Sequence, residues 1–171
     1  MGKLTSTLFF ALILSSTFCL SMSDKARKKL EDEIRALDKD QVHKIVLAVE
    51  ADPMSKMAEQ MRPALVVYFE PIHYDVCLDQ VGFLMDSKEK THRFLFWQSV
   101  CSSGDFFLQN PDASKDRFTY MQAGLEGALR TYGHILEKKP KARHAQLDAL
   151  LHLRNEGHLL DYIRAHPCEK K

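Results

Sequence analysis

The chain is poor in residues that loosen or break a fold. Seven glycines and six prolines in 171 residues exclude collagen-like, low-complexity and linker-rich chains, which carry far more of both. An excess of one charge is missing too. Lys and Arg number 24 against 23 Asp and Glu, a net +1, whereas a nucleic-acid-binding domain is as a rule strongly basic. No apolar run approaches the roughly 18 residues that cross a hydrocarbon core. The signatures of common chemistries are also absent: there is no Gly-rich phosphate loop, no His-Glu-x-x-His pair and no Gly-x-Ser-x-Gly elbow. Mean composition is otherwise that of a globular protein, with 45% hydrophobic and 27% charged residues.

What is there begins with one short apolar run, Leu8 to Leu14, behind Met1-Gly2-Lys3 and ahead of Ser15-Ser16-Thr17. A short positive region, an apolar stretch and then small residues is the pattern of an export signal. Cys19 with Ser21, or Ser21 with Ser23, can occupy the positions read by the peptidase. Phe18 before Cys19 excludes a bacterial lipid attachment, which wants a small residue there. Lys25, Arg27, Lys28 and Lys29 follow the run while only Lys3 precedes it, an asymmetry that favours retention in the cytoplasm. The expectation is a cleaved signal over 1–23 and a secreted or periplasmic domain over 24–171 without stable membrane insertion; an anchored protein facing the cytoplasm is the alternative.

Removal of the signal leaves Cys77, Cys101 and Cys168, an odd number. In an oxidising compartment one bridge and one free or intermolecular thiol follow from the arithmetic, and Cys168, in a charged tail after Pro167, is the expected free one. The three possible pairs stay open, as does burial of Cys77 and Cys101 as small hydrophobes.

Apolar spacing of three and four recurs along most of the mature chain. Ala26, Leu30, Ile34 and Leu37 give a first helix; Val42, Ile45, Val46 and Val49 give a second, capped by Asp38 or Asp40. Asp52-Pro53 closes it and can open a third helix over 54–70, in which Pro63 predicts a kink or a split. Ala64 to Phe69 is β-prone, so a short strand there is the alternative. Residues 71–87 read as an irregular connection with Val76, Cys77, Leu78, Val81, Phe83 and Leu84 turned inward. Lys88 to Leu108 is a central helix apolar nearly all round, with Trp97 a core residue. Its small stretch Ser102-Ser103-Gly104 lets a neighbour approach closely or ends the helix early. Asn110-Pro111-Asp112 breaks the chain. Phe118, Met121, Leu125, Ala128, Leu129, Tyr132, Ile135 and Leu136 form the most regular stripe. Leu147 to Leu153 and Leu159 to Ile163 mark the last two helices, with Asn155-Glu156-Gly157 between them. Six or seven helices joined by short polar turns predict an all-α bundle.

Ala128 and Tyr132, followed by Pro140 in the turn, resemble the second-helix half of a tetratricopeptide repeat. The resemblance covers one helix and a turn; no first-helix half precedes it and no ~34-residue period recurs. It implies helical-hairpin packing at the C-terminal end.

Few residues invite a chemical role. His144, Asp148 and His152 are spaced i, i+4, i+8, one side of a helix, and imidazole with carboxylate suits zinc. Cys101 lies in an apolar helix, where burial raises a thiol's pKa and makes it inert. Lys138, Lys139, Lys141, Arg143 and His144 are the densest basic cluster, either a solvated turn or a contact for an anionic surface. No catalytic residue and no cofactor emerges, and nucleic acid is not an expected partner. The expectation is a non-enzymatic interaction module with a protein partner. An envelope enzyme or metal-binding protein using the histidine-rich C-terminal third is the alternative.

Overall fold

The computed structural model describes residues 23–85 and 89–167. Among them seven helices form a bundle without strands: α1 (Asp24–Arg35), α2 (Lys39–Ala51), α3 (Lys56–Phe69), α4 (Lys90–Gln109), α5 (Arg117–Lys138), α6 (Ala145–Asn155) and α7 (Leu159–Ala165). A single helical turn, Leu78–Val81, and a 3-10 turn, Gly82–Leu84, interrupt the connection before α4. The all-α expectation holds.

Short polar side chains set most helix starts, because each accepts from amides that the first turn leaves unpaired. Ser23 caps α1 through Ala26 N at 3.3 Å. Asp38 caps α2 through Gln41 N at 2.8 Å, and Gln41 Oε1 accepts from Asp38 N at 3.0 Å, a complete capping box. Ser55 accepts from Ala58 N at 3.0 Å, so α3 starts at Lys56 and Pro53 lies in the turn instead of opening the helix. Asp116 starts α5 through Phe118 N at 3.0 Å. At the end of α6, Gly157 takes φ +78°, which only glycine adopts without cost. His158 N and Gly157 N then donate to Leu153 O and Arg154 O at 2.8 and 3.1 Å, a Schellman ending.

Two apolar clusters fill the bundle, and α4 is the wall they share. One comprises Ile34, Val42, Val46, Val49, Ala58, Ala64, Leu65, Val66, Phe69 and, from α4, Cys101. The other joins Leu95, Phe96 and Val100 of α4 to Tyr120, Leu125, Leu129, Tyr132 and Ile135 of α5 and to Leu147, Leu150, Leu159 and Ile163. Tyr74 and Trp97 touch both, so Trp97 is the core residue expected. α3 runs unbroken through Pro63, and Ala64–Phe69 is helical. Burial of Arg62 and of Ala64 to Val67 holds the helix despite the missing donor and overrides the β propensity.

The closest packing is between α4 and α5. A Cβ on Gly124 would stand 2.0 Å from Ser103 Oγ and 2.7 Å from Ser99 O; one on Gly127 would stand 2.1 Å from Ser102 Oγ. The small stretch of α4 therefore admits a neighbour and does not end the helix. Gly104 does the same for α3, since a Cβ there would stand 2.6 Å from Phe69 Cδ1.

Candidate functional site

The inward side of α4 is more polar than its sequence pattern suggests. Gln98, Ser99, Ser102, Ser103 and Asp105 are all buried, and bonds within α4 and to α2 satisfy them in part. Gln98 Nε2 donates to Ser102 Oγ at 3.0 Å. Asp105 Oδ2 lies 2.7 Å from His43 Nδ1 on α2. Burial raises the Asp105 carboxyl above its ordinary range, and the hydrogen bond to His43 works against that rise. Two turns further along α2, Glu50 is buried and takes a forked pair of bonds from Arg130 of α5, through Nε and, at 3.0 Å, Nη2. That hydrogen bond raises the Arg130 guanidinium pKa. These pairs fasten α2 to α4 and α5. His43 and Asp105 have the form of a carboxylate-oriented imidazole, but the nearest thiol along α4, Cys101, is fully buried and pushed up to about 12 by desolvation, so it offers no nucleophile.

Arg62 of α3 is 3% exposed. Its guanidinium carbon sits 4.0 Å from the Phe94 ring centroid, a cation–π contact, while Nη2 has no hydrogen-bond partner. Burial lowers its pKa to about 10. Among the described residues no carboxylate forms an ion pair with it, and the Phe94 face and the charge of Glu59 both favour its charged form.

The three residues proposed as metal ligands each meet other partners. His144 is the N-cap of α6 with extended backbone, φ −141° and ψ 122°. Its ring stacks on Phe83 and meets His92 edge-on. Asp148 accepts from Tyr132 Oη at 3.0 Å and pairs with Arg143 at 3.3 Å. His152 is exposed and lies 3.3 Å from Glu156. Among the described residues no group of three or more His, Cys, Asp or Glu side chains is placed to hold a metal ion.

Cys77 is disulfide-bonded and Cys101 is free and buried. The expected free thiol, Cys168, and the apolar run with its cleavage region lie outside the described residues. Ala128 and Tyr132, which carry the repeat resemblance, are fully buried, and a 3-10 turn starting at Pro140 leads toward α6.

Sequence reading missed a surface. Among the described residues the large hydrophobic side chains left exposed are Leu47 at 44%, Met54 at 37% and Met57 at 39%. They lie in the last turns of α2, in the α2–α3 turn and in the first turn of α3. The basic cluster arrives at the same end: Lys138 pairs with Asp52 at 2.6 Å and Lys139 with Glu89 at 3.0 Å. Comparison with known proteins adds no relative: no family model, no curated protein and no solved structure matches the chain.

Proposed function

We propose that the chain is an exported, non-enzymatic interaction module whose working surface is the end of the bundle around the α2–α3 turn. The observation that carries this reading is a contrast. Inside, the titratable groups are largely engaged with one another or with backbone: His43 with Asp105, Glu50 with Arg130, Tyr132 with Asp148, His92 with Ala142 O. Outside, Leu47, Met54 and Met57 gather at one end. Groups locked in helix-to-helix ties position the fold, whereas clustered exposed apolar side chains mark a contact surface.

A photo-crosslinking side chain at position 54, compared with one at position 115 beyond the far end of α4, tests the surface in cells. Adducts to a macromolecule from 54 and not from 115 are expected; adducts from 115 alone would refute it. Export is tested by sequencing the released protein, which is expected to begin between Leu20 and Lys25; an intact Met1 would favour the anchored alternative.

A further inference from the structure

We infer that the end of the bundle carrying Leu47, Met54 and Met57 docks on an anionic phospholipid surface. The inference rests on the reading above and names the partner. Four helix termini define that end. The α2–α3 turn is there, and Lys138–Asp52 and Lys139–Glu89 bring in the C-terminus of α5 and the N-terminus of α4. α1 packs along α3, and Arg35 in its last turn lies 3.7 Å from Glu70, just past the end of α3. Twelve residues at 1.5 Å each carry the start of α1 about 16 Å back, toward the α2–α3 turn.

The charges follow this axis. Lys25, Lys28, Lys56 and Lys90 are exposed at the near end, and among the described residues no ion pair engages them, while its acids Asp24, Asp52, Glu89 and Glu137 face Arg27, Lys138, Lys139 and His134 and Glu59 is exposed. The far end carries the acids Asp38, Asp40, Glu70, Asp112 and Asp116 beside the bases Arg35, Lys39, Lys115 and Arg117, of which Arg35 and Lys115 pair with Glu70 and Asp112. Exposed methionine and leucine among lysines match an interfacial membrane contact, in which apolar side chains enter the headgroup boundary and lysines meet lipid phosphates. Methionine is also common at protein interfaces, but interface cores are depleted in lysine, and the lysines at this end favour the lipid surface. No described helix is long and apolar enough to cross a membrane, so the contact is peripheral. In sequence, Leu8 to Leu14 comes shortly before α1, and the chain therefore enters the fold at this end.

The test uses the full chain with Leu12→Glu and Leu14→Glu, so that the N-terminal run does not itself partition into lipid. Its binding is measured to vesicles of equal phosphatidylglycerol and phosphatidylcholine and to vesicles of phosphatidylcholine alone. Binding to the anionic vesicles only, weakened by salt, is expected. Lys28→Ala with Lys56→Ala should lower the partition coefficient about 25-fold at roughly fivefold per lysine, and Met54→Ser with Met57→Ser should lower it as well. Lys39→Ala with Lys115→Ala, at the far end, should leave it unchanged, and circular dichroism confirms that each variant is folded. No binding, equal binding to both vesicles, or equal loss in the far-end variant would overturn the inference. If vesicles stay unbound while position 54 still crosslinks to a protein, the lipid assignment fails and the interaction surface stands.

Discussion

Gly124→Ala and Gly133→Ala place the same methyl group on the same helix and are expected to change stability in opposite directions. At Gly133 nothing lies within 4 Å of the added Cβ. Only the propensity difference then operates, and replacing a helical glycine by alanine gains about 0.8–1 kcal/mol. At Gly124 the same gain meets Ser103 Oγ at 2.0 Å and Ser99 O at 2.7 Å. The hydroxyl can rotate away; the carbonyl belongs to the backbone of α4 and cannot. Relief requires the two longest helices to separate, and overpacking of this kind costs about 1–3 kcal/mol. The net expectation is a loss of up to about 2 kcal/mol, with a fall in Tm of about 2–4 °C per kcal/mol for a domain of this size. Urea and thermal unfolding followed by far-ultraviolet circular dichroism reads both. Gly127→Ala should also destabilise, and Ser102→Gly in the same chain should recover part of the loss, since it removes the Cβ and Oγ that lie 2.6 and 2.1 Å from the new methyl. If Gly124→Ala stabilised the protein as Gly133→Ala does, the close approach of α4 and α5 would be wrong.

Leu125→Asp puts an unpaired charge at a position 2% exposed and should cost several kcal/mol, on the order of total stability; a thermal transition within a few degrees of wild type would contradict the orientation of α5. Cys101 should resist iodoacetamide in the native protein at pH 8 and react at once in urea, because its thiol is buried and pushed up to about 12; rapid native labelling would show that the α3–α4 contact is open. Asp105, whose carboxyl is raised by burial, contributes stability that is present below its unfolded pKa of about 3.9 and is lost as pH rises through the folded value. Asp105→Asn should remove that component from a stability-against-pH curve taken upward from pH 3, and an unchanged curve would refute the assignment.

The helices were legible because their stripes repeat every three or four residues and Asp38, Asn110-Pro111 and Gly157 punctuate them. The small side of α4 was legible for the same reason: Ser102-Ser103-Gly104 has no bulk to keep a neighbour away. Pro63 misled because its local cost is outweighed by burial that only the tertiary structure supplies. The ties from Glu50 to Arg130 and from His43 to Asp105 link residues far apart in sequence, and no short-range pattern encodes them. The contacts of His144 with Phe83 and His92 are hidden for the same reason. The exposed end was hidden because Leu47 and Met57 continue apolar patterns whose other members are buried, and sequence does not say where a helix outruns its neighbours.

The sharing of α4 between two apolar clusters makes opening of the molecule divisible. If α1–α3 lift away while α4–α7 stay folded, the second cluster keeps its contacts and one face of α4 is bared, the face that carries Cys101. Partial openings of this kind occur at free energies below that of global unfolding. Cys101 therefore sits where it times the excursions of one half, so its slow modification in buffer and the amide exchange of α5 should report two different clocks within one chain.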